Sequence, residues 1–128
     1  MRTETNAQRV YGKDAVAKFS REPLQDDIWD SFARELHYVR GSFDDAAAYT
    51  RLSDLLRELD EGMGTGGNRL YYLATAPEFF PLIATDLGRA GLAEEREGRF
   101  ARIVVEKPFG SDLASARTLN DQLGQVFR

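Results

Sequence analysis

The chain has 128 residues, enough for one domain with a buried core; 42% are hydrophobic, 30% are charged, and the net charge is −4. The mild acidity excludes the clustered basic surface that a nucleic-acid partner needs, because the 17 Lys and Arg residues are interleaved with 21 Asp and Glu residues. Zero cysteines exclude disulfides and thiolate metal sites and fit a cytoplasmic location, the single histidine leaves no histidine-based metal cluster, and no stretch approaches the roughly 18 apolar residues of a membrane span. No metal, nucleic acid or membrane partner is therefore expected.

The opening "MRTETNAQRVYG" is polar and has no signal-peptide core, so residues 1–7 are expected to form a disordered lead. From Gln8 to Phe19, Val10, Ala15, Val16 and Phe19 suggest a modest helix closed by Pro23. A second helix is predicted from Asp26, taken as its N-cap, with Ile28, Trp29, Phe32, Ala33 and Leu36 at helical spacing. "LHYVRG" reads as a short strand ended by Gly41. Asp44 or Asp45 then caps a third helix whose stripe is Tyr49, Leu52, Leu55, Leu56 and Leu59, and "GMGTGGN" breaks it. "RLYYLAT" is the next strand, Pro81 to Ala90 the fourth helix, and "RIVVE" the last strand. Ser111 or Asp112 caps a final helix through Leu113, Ala116, Leu119, Leu123 and Val126.

Strands that alternate with helices imply right-handed crossovers and a parallel sheet. The fold class expected is α/β: an incomplete Rossmann-like parallel sheet of about three strands, covered by helices on both faces. In such sheets ligands bind beyond the carboxyl ends of the strands, which ranks the candidate sites. "GTGGN" lies at the amino edge and lacks the spacing of a phosphate loop, so it reads as a helix terminator and turn. His37 has no Cys, Ser or acid at matching spacing and is left structural. The aromatics Trp29, Phe32, Tyr49, Tyr71, Phe79, Phe80 and Phe100 fall mostly on apolar stripes and are assigned to the core.

Two junctions lie at the carboxyl edge. In "LATAPEFF", Thr75, Ala76 and Pro77 are either a surface that a flat ligand can approach or a proline stop before a helix. In "VVEKPFGSD", Lys107 stands at a strand tip and Pro108 restricts it to extended backbone, in one of the few bonds that can be cis. Gly110 permits a tight turn into a helix whose N-terminus favours anions. The ammonium is either aimed at a phosphorylated or hydroxyl-bearing substrate, or half of a solvated Glu106-Lys107 pair ahead of a turn.

Taken together, "LHYVRGSFDD", "GTGGNRLYYLATAP" and "VVEKPFGSDLASARTLNDQL" resemble, in order and spacing, the coenzyme domain of the glucose-6-phosphate dehydrogenase family. The resemblance runs from about "AVAKFSREPL" to the last residue. It implies an oxidoreductase of the oxidative pentose phosphate pathway that oxidises glucose 6-phosphate to 6-phosphogluconolactone, with NADP, or NAD in some members, as cofactor. By that resemblance Lys107 touches both sugar phosphate and dinucleotide, and its bond to Pro108 is cis. Tyr72, Thr75, Ala76, Pro77 and Glu106 join Lys107 at the cofactor, and Gly110 has a structural role. "ATAP" stands where the family has two successive prolines.

Nothing in the sequence matches the family's first strands and their G-x-x-G-x-L loop, or the R-I-D-H-Y-L-G-K motif that carries its general base. Residues 8–128 are accordingly expected to be a partial NAD(P)-binding Rossmann-like domain, an internal piece of a longer dehydrogenase. It would hold no catalytic residue and be inactive alone. Glucose 6-phosphate and the dinucleotide would be partners of the parent, itself a homo-oligomer through a domain not present here. The alternative is a non-catalytic interaction module that pairs with complementary dehydrogenase segments.

Overall fold

A computed structural model describes residues 2–128, and the chain divides into two compact units, one ending at Arg40 and one from Gly41 to Arg128. The first holds α1 (Arg2–Phe19) and α2 (Asp26–Arg34). The expected disordered lead is corrected here: α1 starts at Arg2, and only residue 1 of the lead lies outside the described residues. The reason is tertiary, because the Thr5 hydroxyl is buried and accepts the Tyr38 N–H at 3.2 Å, an anchor that composition does not reveal.

Unit one is held by Trp29 and Ala33, both buried on α2. The Trp29 ring comes so close to α1 that a Cβ on Gly12 would sit 3.2 Å from it. Val10 and Phe19, expected on the apolar side of α1, are 61% and 76% exposed. Asp26 is the first residue of α2 and not its cap; Gln25 holds that position, and the Asp26 carboxylate instead pairs with Lys13 at 2.8 Å.

"LHYVRG" is not a strand; the structure is irregular from Leu36 to Gly41. A strand exists only if its backbone groups find a neighbouring strand. Here α1 side chains take them: Arg9 donates to the Leu36 carbonyl at 2.8 Å, and Thr5 takes the Tyr38 N–H.

The second unit runs α3 (Ala46–Met63), β1 (Arg69–Leu73), a 3-10 turn (Pro77–Phe79), α4 (Phe80–Arg89), β2 (Ala101–Val105) and α5 (Leu113–Val126). Asp45, of the two candidates, caps α3 by accepting the Ala47 N–H. Gly64 ends it in left-handed backbone at φ 68°, so "GTGGN" is the terminator and turn expected of it. The α/β class and the parallel sheet hold, but among the described residues the sheet has two strands, β1 and β2, where about three were expected. Arg69 pairs with Ala101 and Leu73 with Val105, so the strands start and end together.

Within the second unit, the helices pack on one face of this sheet. Tyr71, Leu73, Ala101, Ile103 and Val105 pack with Tyr49 of α3, Phe80, Ile83, Ala84 and Leu87 of α4, and Leu119 of α5. Phe80 is fully buried, and burial of a side chain of that size contributes about 2–3 kcal/mol. α4 and α5 approach closely at Gly88, where a Cβ would lie 2.8 Å from Val126. On the other face Leu70, Tyr72 and Val104 are exposed, alternating with the buried set as the period of two requires. Of the aromatics assigned to the core, Phe32 and Phe100 are instead 55% and 37% exposed.

Candidate functional site

The equal strand lengths put two chain segments side by side at the carboxyl edge, residues 74–77 after β1 and 106–110 after β2. Tyr72 is the last residue of β1 on the open face, opposite Val104. Glu106 lies two residues beyond Val104 and therefore on the same face. The Tyr72 hydroxyl donates a hydrogen bond to a Glu106 carboxylate oxygen, closing the two strand tips across the sheet. That bond raises the phenol above its ordinary value, with burial and the negative charge adding to it.

Lys107 follows, exposed, and its ammonium makes no hydrogen bond or ion pair among the described residues. The Lys107–Pro108 bond is cis, the isomer the resemblance implies. Gly110 has φ 90°, and a Cβ there would stand 2.5 Å from Ser115 Oγ and 3.0 Å from the Ala116 nitrogen. Only glycine fits this turn, because Ser115 Oγ must come close enough to accept the Ser111 and Asp112 N–H groups.

The start of α5 differs from the expectation of an anion-seeking helix end. Asp112 is the N-cap; its carboxylate accepts the Ser115 N–H at 2.8 Å, and Ser115 completes a reciprocal capping box. These hydrogen bonds hold the Asp112 carboxyl below the usual carboxylate range. The helix dipole is thus met by the chain's own carboxylate, and the positive charge of the edge rests on Lys107.

On the β1 side, Thr75 and Pro77 are half-buried and Ala76 is exposed. Pro77 opens the 3-10 turn and the Ala76 carbonyl accepts the Phe79 N–H at 3.0 Å, which gives these residues the helix-starting role. The Thr75 hydroxyl reaches only the neighbouring Ala76 carbonyl, at 3.4 Å. The structure thus joins Tyr72 to Glu106 directly, sets Lys107 next to them in the chain, and leaves Thr75, Ala76 and Pro77 on the adjacent segment. The Tyr72–Glu106 pair was missed in the sequence, because it depends on a strand register that spacing does not disclose. Its one signal is the alternation that puts both side chains on one face.

The amino edge carries a denser polar group. Asp60 of α3 accepts from both Arg69 terminal nitrogens at 2.6 and 2.8 Å, from the Gly67 N–H at 2.9 Å, and from the Thr65 hydroxyl. A cleft beside it is lined by Arg57, Arg96, Arg99 and Glu94; Arg57 pairs with Asp54 and Arg96 with Glu94. The Asp60 contacts tie down the turn before β1, at the end of the sheet away from the expected ligand side. His37 belongs to the first unit and is exposed. No group of three or more His, Cys, Asp or Glu among the described residues could hold a metal ion, and no helix among them is long and apolar enough to cross a membrane.

The chain is similar to known proteins over nearly its whole length. The family model "Glucose-6-phosphate dehydrogenase, NAD binding domain" matches residues 1–128. "Glucose-6-phosphate 1-dehydrogenase 2" of Mycobacterium tuberculosis is 43% identical over 125 residues, covering 98% of this chain and 24% of that protein. A crystal structure of glucose-6-phosphate 1-dehydrogenase from Mycobacterium avium superposes with a TM-score of 0.78 at 32% identity, over 97% of this chain and 24% of that one. A glucose-6-phosphate dehydrogenase in complex with its substrate glucose-6-phosphate gives a TM-score of 0.74 at 28% identity, over 93% and 25%. The chain spans about a quarter of the length of these relatives.

Proposed function

Since the chain belongs to the glucose-6-phosphate dehydrogenase family, we propose that it forms part of the coenzyme-binding region of an oxidoreductase that passes hydride from glucose 6-phosphate to NADP, yielding 6-phosphogluconolactone. The setting proposed is the oxidative pentose phosphate pathway of the cytoplasm. The observation that carries this reading is Lys107, exposed just beyond the carboxyl end of β2 and next in the chain to Glu106, which accepts the Tyr72 hydroxyl.

The residues present fit a dinucleotide. Lys107 offers three N–H donors to a phosphate or a sugar hydroxyl, Tyr72 offers a phenol, and Thr75 and Ala76 are small enough for a flat ring to approach the backbone. When bound, the dinucleotide supplies the hydride acceptor. Lys107 orients the sugar phosphate against it, while Tyr72 and Glu106 border the ring's approach. What these residues do not supply is a base for the sugar hydroxyl: Glu106 is engaged with Tyr72, and none of the others is a histidine or a carboxylate. A positioned base is worth roughly 10²–10⁴-fold, so the 128-residue chain by itself is expected to show no turnover.

The test has two parts. Fluorescence titration with NADPH should show binding that Lys107→Ala weakens about tenfold or more, the loss of one charge-assisted contact. Equal binding by the variant overturns the assignment of Lys107. An absorbance assay for NADPH formation should stay flat with glucose 6-phosphate, and clear turnover refutes the expected inactivity.

The sheet supports a second reading, an interaction module. β1 and β2 pair only with each other among the described residues, so both outer edges offer free backbone groups. Addition of complementary dehydrogenase segments should raise ordered secondary structure by circular dichroism; no change on mixing counts against it.

A further inference from the structure

Glu106 carries a role that simple contact with a cofactor does not describe. Its carboxylate is fixed against Tyr72 by the register of a parallel sheet, since Tyr72 pairs with Val104 and Glu106 projects from the same face two residues on. We propose that Glu106 is a positioning residue that accepts the hydrogen bond of the Tyr72 hydroxyl, so that Tyr72 presents only acceptor lone pairs to a ligand at the carboxyl edge. This rests on the dinucleotide reading above and deepens it.

The argument is a count of donors. A phenol has one O–H, and here it is spent on Glu106. What remains on Tyr72 are lone pairs, and an ionised Glu106 has nothing but lone pairs. A phosphate oxygen brought to this pair would meet acceptors and a negative charge, with no donor to receive it. A ribose hydroxyl or a carboxamide N–H would meet a well-oriented acceptor. The other charged groups near this face are Arg102, whose guanidinium lies 5.0 Å over the Phe100 ring, and Lys107. The edge is therefore divided: Lys107 donates and suits phosphate, while Tyr72, held by Glu106, accepts and suits the hydroxyl or amide end of the dinucleotide.

The experiment uses the whole 128-residue chain, labelled with carbon-13 at the tyrosine ring carbon that bears oxygen. Tyr72→Phe identifies the Tyr72 signal, and circular dichroism confirms that each variant is folded. In Glu106→Gln, a near-isosteric change, the Tyr72 signal should titrate at lower pH than in the unmodified chain; an unmoved titration overturns the proposal. Binding is then read with NADPH and with inorganic pyrophosphate. Tyr72→Phe and Glu106→Gln should each weaken NADPH about fivefold, and the double variant no further, since both remove one arrangement. Neither should alter pyrophosphate binding, which Lys107→Ala should weaken. Losses that multiply in the double variant, or pyrophosphate binding that falls in Tyr72→Phe, overturn the proposal. If the tyrosine titration moves as expected while neither probe binds, the dinucleotide reading fails and the Glu106–Tyr72 assignment stands.

Discussion

At Asp60 a single carboxylate ties the end of α3, the glycine turn and the first residue of β1 together. It is 21% exposed and its partner Arg69 13%, dry enough for their paired hydrogen bonds to count. Those bonds hold the Asp60 carboxyl well below the usual carboxylate range; desolvation opposes them, and Thr65 and Gly67 reinforce them. Because the folded value is depressed, the stabilisation is complete above the ordinary carboxylate value of 3.8 and is lost as pH falls through it toward the native one. Asp60→Asn should lower stability by about 2 kcal/mol near neutral pH, read from urea midpoints. Its deficit should stay constant down to about pH 5 and shrink as the pH falls further toward about pH 2. A deficit that is constant with pH would place its origin elsewhere. No pattern in "RELDEGMGTGGNRL" marks this residue among its acidic neighbours; only the turn geometry of Gly64, Gly66 and Gly67 brings it to Arg69.

For single elements, what could be read in advance was what depends on local chemistry. The caps of α3 and α5 fell on one of the two residues named for each, Asp45 and Asp112, because capping needs only a short acceptor ahead of a helical run. Ser115 is where this can be measured. Its Oγ accepts the Ser111 and Asp112 N–H groups, so Ser115→Ala should cost about 1 kcal/mol in a urea melt. A change within error would show that solvent replaces the hydroxyl. "LHYVRG" shows the opposite case: its apolar run has the composition of a strand, yet Arg9 and Thr5 of α1 occupy the backbone groups that a ladder would need. The same contacts explain the helical start of α1, whose residues 2–7 have no apolar stripe to announce them.

In the molecule as a whole, the uncovered sheet face has the most physical consequence. Leu70 is 64% exposed and Tyr72 58%, with Val104 opposite Tyr72 and, among the described residues, a free strand edge on either side. An apolar face bounded by unpaired backbone favours association. Light scattering of the 128-residue chain should rise with concentration, and Leu70→Glu should suppress that rise while leaving the circular dichroism unchanged. If scattering is the same in both, the open face is not the associating surface. The variant leaves Lys107, Tyr72 and Glu106 intact, so NADPH binding serves as an internal control.

The sequence by itself determined the α/β class, the helices with their caps, the glycine turn and the collinear motifs that place the chain in its family, because each depends on neighbours a few residues apart or on order along the chain. It also placed Lys107 just past a strand end, which depends only on where the apolar run stops. The tertiary structure decided the number of strands, the sheet face that the second unit's helices cover and the meeting of Tyr72 with Glu106. Each of these requires two distant segments to be in register, and registration is settled by packing around Phe80 and its neighbours, not by any local preference.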